Sequence, residues 1–215
     1  MTPDLAADRA RALALTPVSR ETSDRLDRFV ALLLATQHHT NLIGRSSIPQ
    51  LWSRHVADSL QLLDLAPEAR TWLDIGSGGG FPGLVIACAL ADRPGAKVHL
   101  VESTGKKAAF LREVVAALEL PGVVHHARIE DMRPDFAVDA ITARAVAPLR
   151  TLLGYVAPWL KSGAKALLLK GQDVEVELTE AAKCWKIDAE LVASRTNSTS
   201  RIMVIRGLRP RTRKA

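Results

Sequence analysis

The run Leu73-Asp74-Ile75-Gly76-Ser77-Gly78-Gly79-Gly80-Phe81-Pro82-Gly83 places five glycines in eight positions straight after an apolar stretch. A turn needs only one or two, so this backbone must turn tightly and let a ligand approach without side chains in the way. Two frames fit it. Gly78-x-Gly80-x-x-Gly83 satisfies the dinucleotide fingerprint, with Glu102 near the distance expected of its ribose-binding acid. Asp74-x-Gly76-x-Gly78-x-Gly80 instead sets an acid two residues ahead of the first glycine. Val101-Glu102-Ser103 closes a second apolar stretch with a carboxylate able to accept both hydroxyls of a ribose. Ile129-Glu130 offers an apolar side chain and an acid that can cover and edge-bind an adenine, although a plain acidic loop explains the pair almost as well. Arg144 ends a further apolar stretch, where its guanidinium suits a guanine O6 edge, a phosphate, a cofactor or a salt bridge to a nearby acid.

Periodicity predicts the elements that position these residues. Between Ser19 and His38, Leu26, Phe29, Val30, Leu33 and Leu34 share one helical stripe. Ser47 with Gln50 three residues on, and Pro49 in the first turn, predicts a capping box opening a second helix. Ile48, Leu51, Trp52, Val56, Leu60 and Leu63 would be its buried face. From Thr71 the period changes. Strands are predicted at about 71–75, 97–102, 122–127, 138–143, 164–170, 185–192 and 201–206, and helices at about 82–91, 105–119, 148–160 and 173–182. Strand and helix alternating with continuous apolar runs imply a mostly parallel sheet covered on both faces, closed by an antiparallel edge pair where the last two strands lack an intervening helix. Such a sheet binds its ligand at the carboxyl ends of the strands, where the glycine loop, Glu102 and Arg144 all fall.

Composition agrees with one folded unit. Of 215 residues, 47% are apolar and 24% charged, which excludes a disordered, collagenous or coiled-coil chain. The division predicted is a helical extension over 1–66 packed on a core over 67–215. The net charge of +6 is local: Arg195, Arg201, Arg206, Arg209, Arg211, Arg213 and Lys214 occupy the last 21 positions with no acid among them. A basic terminus favours a polyanion, nucleic acid first, although a solvated tail explains the charge equally well. Cys88 and Cys184 lack metal-ligand or disulfide spacing, and no metal is expected. No apolar run approaches the ~20 residues of a membrane helix, so a cytoplasmic protein is expected.

The Asp74 to Gly80 frame resembles motif I of the Rossmann-like S-adenosylmethionine methyltransferases. In that family the acid and first glycine face the cofactor's amino-acid moiety, whose ammonium needs a carboxylate; a dinucleotide has no such group. The antiparallel edge pair suits that class I sheet. A reductase lacks its usual chemistry here: the only tyrosine is Tyr155, and Trp159 rather than lysine stands four residues on. The strand ending at Arg144 carries neither an Asn/Asp-Pro-Pro-aromatic segment for an exocyclic amine nor a cysteine for covalent attack. An acceptor that needs little activation is therefore expected, and guanine N7, with an in-plane lone pair and no proton to lose, is one.

Asn41-Leu42-Ile43, Arg54-His55-Val56-Ala57-Asp58-Ser59-Leu60, the Asp74 to Leu84 loop, Glu102 to Arg112, Arg144-Ala145 and Leu169-Lys170-Gly171-Gln172 together resemble the RsmG family, also called glucose-inhibited division protein B. The resemblance spans roughly 24–207. It implies methylation of guanine N7 in 16S ribosomal RNA near the decoding region, with the small-subunit RNA or a subunit precursor as partner; a monomer is expected. It implies S-adenosyl-L-methionine contact at Gly76, Phe81, Ile129, Glu130 and Arg144, to which the loop and strand ends add Asp74, Gly78, Gly80 and Glu102. Arg144 is the expected catalytic contact, and Arg54, His55, Lys106, Lys170 and Arg201 the expected RNA contacts. For each a plainer role exists: His55 as a core residue, Lys106 as surface charge. A nicotinamide oxidoreductase and a non-catalytic RNA-binding assembly factor are the rival readings.

Overall fold

The computed structural model describes residues 3–133, 135–160 and 163–211. Arg213 and Lys214, part of the basic terminus, lie outside the described residues. Helix α1 (Pro3–Leu15) is followed by α2 (Arg20–Gln37), whose N-cap Ser19 accepts the Thr22 N–H. A 3-10 turn over Arg45–Gln50 and a π-helical stretch over Trp52–Ala57 lead into a short α3 (Asp58–Leu60). The capping box predicted at Ser47 does not form. Ser47 lies inside the 3-10 turn, and its hydroxyl is spent on the Gly44 carbonyl at 2.7 Å and on His55 Nε2 at 2.9 Å.

The sheet consists of β1 (Thr71–Ile75), β2 (Lys97–Glu102), β3 (Gly122–His126), β4 (Ala140–Arg144), β5 (Lys165–Lys170), β6 (Trp185–Ala193) and β7 (Arg201–Pro210). Its order is β3-β2-β1-β4-β5-β7-β6, parallel except that β7 pairs antiparallel with both β5 and β6. The crossovers are α4 (Gly83–Leu90), α5 (Gly105–Ala117), α6 (Leu149–Leu160) and α7 (Val174–Ala182). Each periodic segment predicted from Thr71 onward is present within a few residues of its predicted bounds.

Strand parity sorts the two cores. Trp72 joins Leu26, Phe29, Leu33, Leu84 and Leu100 beneath α2, α4 and α5, while Leu73 and Ile75 face Leu152, Leu153 and Val156 of α6. α2 thus shares a continuous apolar cluster with the sheet. The chain order reverses between β1 and β4, so the crevice for a ligand opens at the carboxyl ends of these two strands.

Candidate functional site

The loop leaving β1 is shaped from below. Asp74, 1% exposed, shares the Trp72 face, and its Oδ2 accepts the Gly83 N–H at 3.0 Å while Oδ1 accepts the Thr142 hydroxyl at 2.9 Å. Thr142 is its register partner on β4. Burial pushes the Asp74 carboxyl up to about 6, against the opposing pull of the hydrogen bonds it accepts. Gly83 starts α4 against this carboxylate. A Cβ there would lie 2.2 Å from Leu100 Cδ2 and 2.6 Å from Asp74 Oδ2, so close packing of helix on strand demands glycine. Gly76 holds φ +68°, and its missing Cβ would strike Val146 at 2.6 Å.

Two cavities open above this loop. The smaller, about 190 Å³, is lined by Ile75 and Gly76 from the end of β1, Val101 from β2, Ile129 and Glu130, Val146 and Tyr155. Its walls are polar and apolar in about equal part, and Tyr155 donates to Glu130 Oε1 at 2.7 Å, which holds that carboxyl below its ordinary value. Glu102 ends β2 between the lining residues Val101 and Ser103 and is 6% exposed. Its Oε2 accepts Gly78 N–H at 2.9 Å and its Oε1 accepts Thr104 N–H at 2.7 Å, leaving each oxygen one further acceptor position. The larger is an open trough of about 1270 Å³, walled by Arg11 and Leu15 of α1, Arg54, His55 and Asp58, Arg144, Lys170, and Thr196, Asn197 and Ser200 of the β6–β7 turn. Val146 and Ala147 line both cavities. Just before them Ala145 takes φ +54°, a strained conformation for a residue with a Cβ.

Arg144 stands at the junction, half-buried. Its Nη1 donates to the Arg54 carbonyl at 3.1 Å, and its guanidinium lies 5.4 Å from the Phe81 ring centre. Burial lowers its pKa and the charges of Asp58 and Asp74 raise it, so the cation is held by acids that do not touch it. Phe81 is turned inward, between Phe29 at 5.3 Å and the stacked His55 ring at 5.0 Å. Ser47 donates to Gly44 and so accepts from His55 Nε2–H, leaving Nδ1 as a bare, buried acceptor without a partner. Burial, with Arg144 and Arg54 nearby, pushes this imidazole down to about 3, so it is neutral at physiological pH.

The expected site residues thus fall into groups. Gly76, Ile129 and Glu130 line the small pocket; Asp74, Gly78, Gly80, Phe81 and Glu102 build or brace the loop beside it. Arg54, His55, Arg144 and Lys170 line the trough. The Lys170 ammonium is spent on Glu177 at 2.7 Å, an acid that also takes the Leu149 N–H at the start of α6. Arg201 donates to the Ser198 and Ser200 carbonyls, and Lys106 is exposed on α5; neither lines the trough. Among the C-terminal basic residues, Arg195 pairs with Asp64 and Arg206 with Glu190.

The sequence places Asp58 beside Arg54 and His55 but does not give its partners. Asp58 accepts hydrogen bonds from Thr196, Gln61 and Ser194, tying the π-helical segment to the β6–β7 turn. Burial raises its carboxyl. No local pattern announces a contact across more than a hundred residues. Among the described residues no group of three or more His, Cys, Asp or Glu could hold a metal ion, and no helix is long and apolar enough to cross a membrane.

The sheet order, the glycine loop at the reversal of strand order and the antiparallel terminal pair define a class I methyltransferase fold. Solved structures agree at the level of fold: cofactor-bound Rv0187 from MTB superposes with a TM-score of 0.61 at 15% identity, over 96% of this chain and 98% of that one. An O-methyltransferase from Bacillus cereus in complex with SAH gives 0.59 at 16% identity, over 94% and 97%. Residues 22–204 match the family model for rRNA small subunit methyltransferase G. Relatives named ribosomal RNA small subunit methyltransferase G share 61% identity over 203 residues in Bradyrhizobium sp. strain BTAi1, covering 94% of this chain and 91% of the relative. The one in Rhodopseudomonas palustris strain BisB18 shares 57% over 215 residues, covering 99% and 92%. The chain belongs to the rRNA small subunit methyltransferase G family.

Proposed function

We propose that this protein transfers a methyl group from S-adenosyl-L-methionine to N7 of a guanine in 16S ribosomal RNA, near the decoding region, acting as a cytoplasmic monomer on the small subunit or its precursor. The observation that carries this reading is the shared Val146–Ala147 wall: a nucleoside-sized pocket meets a trough large enough for an extruded nucleotide and its neighbours. The pocket fits an adenosine in kind, with apolar side chains for two ring faces, the Glu130 carboxylate at one edge and spare Glu102 lone pairs for a ribose diol. Gly76, which lines the pocket, has no Cβ and so lets the Val146 side chain close against it.

The cofactor supplies an electrophilic methyl on a sulfonium. Guanine N7 offers its lone pair in the ring plane and loses no proton, so the chain's residues need only orient the base and exclude water. Arg144 donates to the O6 edge of the guanine beside N7, and its pairing with the Arg54 carbonyl fixes the fork. His55 is neutral and its Nε2 proton is held by Ser47, so it orders Phe81 and Arg144 rather than moving a proton. Asp74 acts through the loop: its carboxylate locks the start of α4, and its face of β1 is opposite to that of Ile75, which lines the pocket.

The test is transfer of labelled methyl to small subunits from cells lacking the protein, followed by mass spectrometry of the nucleosides. Label in 7-methylguanosine is expected. Label in another nucleoside refutes the acceptor, and cofactor binding without transfer to any ribosomal substrate favours an assembly role.

A further inference from the structure

Helix α1 precedes the segment that matches the family model, which begins at residue 22. It is nevertheless fastened to the site. Asp8, fully buried, accepts the Trp52 N–H at 2.8 Å, the Ser53 N–H at 3.2 Å and the Ser53 hydroxyl at 2.6 Å, and so caps the π-helical segment from 44 residues away. Arg9 adds a paired contact to Asp27 and stands over the Trp52 ring. The face of α1 that these contacts fix in place presents Arg11 and Leu15, one turn apart, to the trough that holds Arg54 and Arg144.

Neither residue is buried, and the structural tie of Arg11 is to Asp8. The Arg11 side chain is 66% exposed, and its one acidic neighbour, Asp8 at 3.2 Å, already accepts three other hydrogen bonds. Leu15 is 43% exposed, one of only three large exposed apolar residues among those described. A guanidinium beside an uncovered aliphatic side chain, on the wall of a trough walled also by Arg54 and Arg144, matches a phosphate next to a ribose or base face.

We propose that α1 is an RNA-binding wall, with Arg11 contacting a backbone phosphate of the strand flanking the target guanine and Leu15 covering the adjoining sugar or base. This rests on the functional reading above for the identity of the strand. The test compares Arg11→Gln, Arg11→Lys and Leu15→Ser with the unaltered full-length protein. It measures affinity for a 16S RNA fragment across a salt series and, separately, affinity for S-adenosylhomocysteine. Arg11→Gln is expected to weaken RNA binding by about three- to ten-fold and to flatten the log-affinity against log-salt slope by about one, with cofactor affinity unchanged. Arg11→Lys should recover most of the loss, and Leu15→Ser should weaken binding without altering the slope. RNA affinity and slope at the unaltered values in Arg11→Gln overturn the proposal. So does failure of lysine to restore them, which would make Arg11 a brace for Asp8. RNA affinity is read whether or not methyl is transferred, so a protein that binds RNA without methylating it refutes the functional reading alone.

Discussion

Replacing Asp74 with asparagine should change how stability depends on pH by an amount the structure sets. The carboxyl has no access to water, and burial moves it from 3.8 to about 6. An acid whose folded pKa is raised binds its proton more tightly in the native state, so between about pH 4 and 6 the native chain holds more protons than the unfolded one. Stability from this group therefore falls as pH rises through that window and is at its lowest above it. At about 1.4 kcal/mol per pKa unit, the whole displacement amounts to about 3 kcal/mol. Asparagine does not titrate. Its own hydrogen-bonding mismatch, whether toward the Gly83 N–H or the Thr142 hydroxyl, is a constant offset independent of pH. Urea denaturation of both proteins at a series of pH values from 4 to 8 gives a difference curve in which other titrating groups cancel. The Asp74→Asn protein should gain about 3 kcal/mol on the unaltered chain between the acid and the neutral end. Parallel curves would mean that the carboxylate is no more burdened by burial than in water, and the account of Asp74 as a buried clamp would be wrong.

Three further outcomes follow from the same geometry. Gly83→Ala drives a methyl into Leu100 and the Asp74 carboxylate, neither free to yield, and should lower stability by about 1–3 kcal/mol with loss of cofactor binding, measured by denaturation and calorimetry. Arg144→Lys keeps the charge but not the fork, so kcat/KM for RNA should fall by roughly 10- to 100-fold with cofactor affinity little changed; an unaltered rate removes Arg144 from the mechanism. His55 has its pKa depressed from 6.5 to about 3, so its stabilising contribution is whole above pH 6.5 and is lost as pH falls toward 3. His55→Gln should therefore lose less stability than the unaltered protein on acidification from pH 7 to 4, and an identical loss would show that the imidazole is accessible to protons.

What could be read in advance divides along a physical line. Strands and crossover helices were legible because burial on both sheet faces writes continuous apolar runs and 3.6-residue stripes into the chain, and these need no distant partner. The glycine loop was legible because positive φ at Gly76, Gly78 and Gly80 excludes most other residues. The side on which Asp74 works was less so. The motif suggests a carboxylate close to the ligand, and the structure adds partners that the motif does not name: the Gly83 N–H and the Thr142 hydroxyl, on the face of β1 opposite to Ile75. The segment after Gly44 was misread as capped α-helix because Ser47 and Gln50 have the right spacing. The partners that decide it, His55 and the Asp8 carboxylate, come from farther along the helix and from α1, 44 residues earlier in the chain. A π-helical stretch widens the helix by one residue per turn and persists where outside contacts reward it. Here Asp8 holds its start and Asp58, just beyond its end, holds the β6–β7 turn, so the stretch bearing Arg54 and His55 is pinned at both ends by carboxylate contacts that span 44 or more residues. The rim of the trough is therefore a tertiary construction set on a locally encoded sheet, and substitutions at Asp8 or Asp58 should reach Arg144 without touching it.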